Sequence, residues 1–158
     1  MTIEKKRIVI TGGAGFIGST LAGRLADHND VVLFDNLARN TLQHTSLGGH
    51  RNVTLVQGDI LDYEAARRAV EGAKIVVHAA AIAGIDTVLK SPVRTMEVNM
   101  IGTANVLRAA KEAKVTDRVI EFSTSEVFGS MAYRVSEDAH AVAGSAGEAR
   151  WQAAIVNR

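Results

Sequence analysis

No cysteine occurs among the 158 residues, which excludes disulfides, thiolate chemistry and cysteine-based metal sites. An excess of either charge is missing too: 18 Lys plus Arg against 17 Asp plus Glu leave a formal net charge of +1. That balance gives no electrostatic reason to expect nucleic acid or an anionic membrane as partner, and favours a small-molecule ligand. No apolar run is long enough to span a bilayer, and the opening MTIEKKR lacks the apolar core of a signal peptide. These absences predict a cytoplasmic protein. Internal repeats, low-complexity tracts and a clear linker are lacking as well. The length suits one domain with its own core and is short for the two-domain layout common among cofactor enzymes.

What the chain does have is an alternation of strands and helices. RIVIT (7–11) is a β-branched run followed by glycines, the pattern of a strand buried on both faces, and VVLFD (31–35), VTLVQGD (53–59), KIVVHAAA (74–81) and RVIEFST (118–124) read as four more. Between the first two, Ile17, Leu21 and Leu25 recur at helical spacing. Asp62 can cap the helix of YEAARRAVE and Gly72 can end it. Ser91 and the single proline, Pro92, read as cap and first turn of a helix whose apolar positions are Val93, Met96, Met100, Thr103, Leu107 and Ala110. Continued to Ala113, that helix measures roughly 33 Å. Strands separated by helices pair in parallel through right-handed crossovers, so the expected fold is α/β: a doubly wound parallel sheet, Rossmann-like, with its ligand at the carboxyl ends of the strands. Residues 129–150, rich in Gly, Ala and Ser, read as a loop.

The first chemical signal is TGGAGFIG, in which Gly12, Gly15 and Gly18 stand between a strand and a helix. A tight turn there lets backbone N–H groups and the helix N-terminus meet a pyrophosphate; the alternative is a glycine turn chosen only for close strand–helix packing. Asp35 ends the second strand about twenty residues past the central glycine, where a carboxylate accepts from both ribose hydroxyls of an adenosine and repels a 2′-phosphate. NAD is therefore favoured over NADP. Arg39, just beyond that strand, is either the residue that would pair with such a phosphate or a solvated loop charge.

The spacing Thr-Gly-x-x-Gly-x-x-Gly resembles the extended short-chain dehydrogenase/reductase family of nucleotide-sugar epimerases, dehydratases and decarboxylases, and the resemblance covers nearly the whole chain. It implies that Phe16 and Ile17 at the helix start, Asn36 beside Asp35, Asp59 with Ile60 after the third strand, Ala79, Ala80 and Ala81 after the fourth, Asn99 in the long helix and Ser123 line the cofactor. Structurally, Asp59 could instead be a strand-end cap and the alanines core packing. In FSTSEVFG the resemblance places Thr124 where a hydroxyl donates to the sugar oxygen being oxidised, flanked by Ser123 and Ser125. Glu126 is either catalytic or a surface acid. Family dehydratases resemble Thr-Asp-Glu at this point; Ser125 in place of the aspartate weakens that reading, while Thr-Ser-Glu resembles UDP-glucuronate decarboxylases and many sugar 4-epimerases.

The family's base is a tyrosine whose pKa is lowered by a lysine four residues later, and this Tyr-x-x-x-Lys is lacking. Family members often carry Arg-Trp shortly before the tyrosine; with Arg150 and Trp151 in that place, the two positions fall on Ala153 and Asn157. Tyr63 and Tyr133 are followed four residues later by Arg67 and Glu137, and read as a core residue and a loop residue. The expectation is a chain that stops inside the catalytic helix, cut, frameshifted or altered rather than naturally ended, with residues 1–158 as the NAD-binding domain and the substrate domain absent. Two functions remain open: the cofactor-binding part of an enzyme that oxidises C4 of a UDP-sugar, epimerase first and decarboxylase second, inactive by itself; or a non-catalytic dinucleotide-binding or interaction module. By resemblance, a homodimer through the long helix is also expected.

Overall fold

The computed structural model describes residues 3–128, 135, 136 and 138–140. Five strands form one parallel sheet: β1 (Arg7–Thr11), β2 (Asp30–Asp35), β3 (Val53–Gln57), β4 (Ile75–His78) and β5 (Arg118–Glu121), in the order β3-β2-β1-β4-β5. Strand order reverses beside β1, so the carboxyl ends of β1 and β4 flank the topological switch point where doubly wound folds bind ligands. Register places Thr11 opposite Phe34 on one side and His78 on the other.

The described residues fall into two compact units. The first takes everything up to Ala80 plus Gly102–Glu121, and holds the whole sheet. Side chains alternate across the strands. Ile8, Ile10, Val31, Leu33, Ile75 and Val77 point to the face covered by α1 (Phe16–Leu25) and the turns carrying Leu42 and Leu47. Helices α2 (Tyr63–Val70) and α5 (Thr103–Glu112) pack on each other and bury Ala66, Ala69, Val70, Val106, Ala109 and Ala110. Asp62 caps α2 as expected, its Oδ1 accepting from the Ala65 N–H at 3.0 Å, and Gly72 takes the expected left-handed turn at φ +73°. The second unit comprises Ala81–Ile101 and the described residues from Phe122 on. It includes α3 (Ile85–Lys90), which no sequence signal announced, α4 (Pro92–Met96) and a single-turn helix at Ser125–Phe128.

Several expectations need correction. Strands β3, β4 and β5 stop at Gln57, His78 and Glu121, short of the expected ends, although the Gly58 and Ala79 N–H groups still donate to the carbonyls of Asp35 and Thr11. Residues 92–112 are not one α-helix: α4 passes through a π-helical stretch, Glu97–Gly102, before α5. Ser91 makes no side-chain cap bond; its carbonyl accepts instead from the N–H and hydroxyl of Thr95. Half of the predicted core stripe of this helical run faces outward, with Val93 70% exposed and Met100 and Leu107 also exposed, while Met96 and Thr103 are partly buried and Ala110 is buried as expected. Buried beside it are Thr95, Val98, Asn99, Gly102, Val106 and Ala109. In α1 Leu21 and Leu25 pack partly buried against the core as expected, whereas Ile17 is 51% exposed and Gly18, Ser19 and Ala22 are buried. In α1 and α5, which pack on the strands, small residues face inward because close approach of a helix to a sheet leaves no room for larger ones. Tyr63 is not core either: the Arg108 guanidinium lies 4.3 Å over its ring and its hydroxyl donates to Glu112, all on the surface.

Candidate functional site

The carboxyl end of β1 runs into the glycine turn. Gly12 has φ +68°, a left-handed conformation that only glycine adopts without strain, and its N–H donates to the Phe34 carbonyl at 2.8 Å. A Cβ at Gly12 would lie 2.7 Å from the Ala80 nitrogen, so the turn is seated directly on the Ala79–Ala80 backbone. Gly15 donates to the Gly12 carbonyl at 3.1 Å and occupies the N-cap of α1 without a side-chain cap bond. Gly18 is buried one turn in; a Cβ there would run into the Gly12 carbonyl oxygen and stand 2.7 Å from the Gly13 Cα. The first turn of α1 carries no acidic side chain, and Phe16 (77% exposed) and Ile17 stand open to solvent. An uncapped helix N-terminus of ten residues behind a glycine turn suits the oxygens of a diphosphate.

Asp35 holds the turn from the side. One carboxylate oxygen accepts from the Ala14 N–H at 3.0 Å and the other from the Leu37 N–H at 2.7 Å. The second bond closes a short loop that carries Leu37 at φ +64°, a left-handed conformation a leucine keeps only under such constraint. The Ala14 carbonyl accepts from both the N–H and the hydroxyl of Thr41, at 2.8 and 2.9 Å, and the Thr41 hydroxyl also meets the Ser19 hydroxyl at 3.2 Å. Asn36 is exposed and accepts from the Ala38 N–H. Asp59 accepts from the Leu61 N–H at 2.9 Å, a local turn of the kind a strand-end cap makes. Ile60 is buried; its side chain fills the space a Cβ at Gly102 would need, and its carbonyl accepts from Asn105.

Gly12, Gly15, Gly18, Asp35, Ala79 and Ala80 thus meet around one turn in the first unit. Ala81, Asn99, Ser123 and Thr124 belong to the second unit. There Asn99, buried within the π-helical stretch, grips Ile82 at two points: its Oδ1 accepts from the Ile82 N–H at 2.7 Å and its Nδ2 donates to the Ile82 carbonyl at 2.9 Å. Ala81 and Ser123 are exposed and Thr124 is half-buried. Glu126 lies in the Ser125–Phe128 turn, with its side chain outside the described residues; Tyr133, Arg150, Trp151, Ala153 and Asn157 fall outside them entirely. Sequence reading missed Thr41 and His78 as site residues. His78 is buried at the carboxyl end of β4, with Nδ1 2.6 Å from the Thr11 hydroxyl and Nε2 2.9 Å from the Thr103 hydroxyl, and burial lowers its pKa to about 4. A polar residue closing an apolar strand was the available signal. Tyr63 offers no substitute base: its hydrogen bond to Glu112 pushes its pKa up, away from neutral pH.

A parallel sheet with a glycine turn at its switch point and an acid ending the next strand defines a dinucleotide-binding α/β protein. A model of the NAD dependent epimerase/dehydratase family matches residues 8–145, and the chain belongs to that family. Its cofactor is NAD. The chain is 39% identical over 153 residues to a UDP-N-acetyl-alpha-D-glucosaminuronate decarboxylase of Bacillus cytotoxicus, covering 96% of this chain and 46% of that protein. Among solved structures it resembles a UDP-N-acetylglucosamine 4-epimerase from Methanobrevibacter ruminantium in complex with UDP-N-acetylmuramic acid, at TM-score 0.83 and 27% identity, over 96% of this chain and 47% of that one. It also resembles the Bordetella bronchiseptica enzyme WbmH in complex with NAD+, at TM-score 0.82 and 28% identity, over 98% and 50%. The chain spans about half the length of these relatives. No helix among the described residues is long and apolar enough to cross a membrane.

Proposed function

We propose that residues 1–158 are the NAD-binding portion of a cytoplasmic enzyme that oxidises C4 of a UDP-sugar. The observation that carries this reading is the glycine turn seated on Ala79–Ala80 with the Asp35 carboxylate fastened to its Ala14 N–H. In this assignment the turn and the first N–H groups of α1 receive the pyrophosphate, and Asp35, with Asn36 beside it, receives the adenosine ribose. Phe16 and Ile17, Asp59 and Ile60, the alanines 79–81, Asn99 and Ser123 border the remainder. Asn99 does so by holding Ile82 in place. Thr124 donates its hydroxyl to the sugar oxygen. When bound, NAD supplies the acceptor for the C4 hydride.

A 4-epimerase is the first reading. Decarboxylation of a UDP-uronate is the second, favoured by Thr124-Ser125-Glu126 and by the decarboxylase relative, with Glu126 assisting. The 158 residues alone are inactive in this proposal, because Ala153 and Asn157 stand where the family carries its tyrosine and lysine. The whole enzyme is a homodimer. Support comes from the groove of about 560 Å³ lined by Pro92, Val93, Met96, Glu97, Met100 and Ile101, an apolar helix face exposed in the second unit.

Replacing Asp35 with Ala tests the cofactor assignment. It removes a ribose acceptor, a repulsion toward a 2′-phosphate and the two bonds that hold the turn, the last a loss common to both cofactors, so NAD affinity should fall about tenfold more than NADP affinity. Equal loss for the two cofactors in a titration would contradict the ribose assignment.

A further inference from the structure

His78 stands at the centre of a hydrogen-bond network that reaches the glycine turn. The Ala80 N–H points to the Thr11 hydroxyl oxygen at 3.4 Å, and the Thr11 hydroxyl meets His78 Nδ1 at 2.6 Å, a contact whose direction is set by the imidazole tautomer. With Nδ1 accepting, the imidazole proton sits on Nε2 and is donated to the Thr103 hydroxyl oxygen at 2.9 Å. In that tautomer one line of donors runs Ala80 N–H to Thr11, Thr11 to His78, His78 to Thr103. It joins the last residue of β1, the last residue of β4, the backbone on which Gly12 rests and the first turn of α5. No buried side-chain polar atom among the described residues lacks a partner, so the imidazole is held on both edges.

We infer that His78 is a positioning residue for the cofactor site: as a neutral imidazole protonated on Nε2, it aims the Thr11 hydroxyl so that the Ala80 amide stays fastened under the Gly12 turn. The inference rests on the proposal that this turn binds NAD. His78 itself touches no ligand in this scheme; it acts through Thr11. Its burial, which disfavours the imidazolium, agrees with the neutral form.

The test uses the 158-residue chain. Nitrogen chemical shifts of labelled His78 should report the Nε2–H tautomer, unchanged from pH 7.5 down to about 5. In NAD titrations, H78N, whose amide oxygen replaces the Nδ1 acceptor, should bind within about threefold of wild type. H78L and T11V should each bind about tenfold more weakly, as expected for one buried hydrogen bond. The double variant should lose no more than either alone, because both remove the same link. An Nδ1–H tautomer, or titration near 6.5, overturns the inference, as does NAD binding by T11V at wild-type strength. Should H78L fail to fold, T11V and H78N carry the comparison. Wild-type chain that binds no NAD defeats the proposed function, and the positioning role with it; wild type that binds while T11V and H78L bind equally well defeats the positioning role alone.

Discussion

Acidification should weaken this fold through His78 before any carboxylate contributes much. In the folded chain burial lowers the His78 pKa to about 4, while an exposed histidine in the unfolded chain titrates near 6.5. Between those values the unfolded chain holds one more proton at this site than the folded one, so stability falls as pH falls. The contribution is fully present above pH ~6.5 and lost by about pH 4. Over the whole window it amounts to about 3 kcal/mol at ~1.4 kcal/mol per pH unit. Glu112 and Asp117, lowered by their hydrogen bonds to Tyr63 and Lys6, lose their contributions as pH falls from the ordinary carboxylate range downward, mostly below the window of His78. Glu121, raised by burial, works in the opposite sense, stabilising as pH falls. Comparison with H78N, which does not titrate, cancels these and the other four histidines. Urea unfolding followed by far-ultraviolet circular dichroism, at half-unit steps from pH 7 to 5, should show wild type losing about 2 kcal/mol more than H78N between pH 6.5 and 5. Parallel curves for the two proteins would refute the reasoning, because they would mean that His78 takes up its proton equally well in both states.

Gly18→Ala should lower stability by about 2 kcal/mol and abolish NAD binding, because the new methyl meets backbone at Gly12 and Gly13; an unchanged melting temperature and titration would count against the packing described. Val93→Glu with Met100→Glu in the whole enzyme should convert a dimer to monomer in sedimentation velocity, and a wild-type whole enzyme that is monomeric at every concentration run would remove the dimer proposal. The purified 158-residue chain should turn over no UDP-sugar even at concentrations where NAD is bound; any turnover would show that a base other than the family's tyrosine is at work.

How much of this was readable beforehand can be argued from α1 and the 92–112 run. Order and type of the five strands and of α1 and α2 followed from residue pattern, since β-branched runs such as RIVIT and VVLFD have no helical spacing, and Asp62 and Gly72 announced the ends of α2, whereas α3 and the π-helical stretch had no such signal. The glycine turn and Asp35 were legible because their roles are backbone roles, fixed by residue type and spacing. Which face of a helix turns inward was not. Both helical runs carry two overlapping stripes, one of large apolar residues such as Ile17, Val93 and Met100 and one of small residues such as Gly18, Ala22, Gly102 and Ala109. Periodicity weights the large ones, whereas helix–sheet packing at close range admits the small ones. Gly102 against Ile60 makes the point at a single contact. Hydrogen-bond links such as Thr11 to His78, 67 residues apart, depend on strand register and have no local signature.

The grip on Ala14 has a consequence for affinity. Its N–H is committed to Asp35 and its carbonyl to both donors of Thr41, so the turn is shaped when the chain folds rather than when a ligand arrives. The conformational entropy of arranging such residues, about 1–2 kcal/mol each, is then already lost in the free protein and does not weaken binding. Thr41 lies in the irregular stretch between β2 and β3, outside every glycine of the turn. Variation there can loosen or tighten a preorganised turn, and so raise or lower affinity, without changing a single atom that faces the ligand.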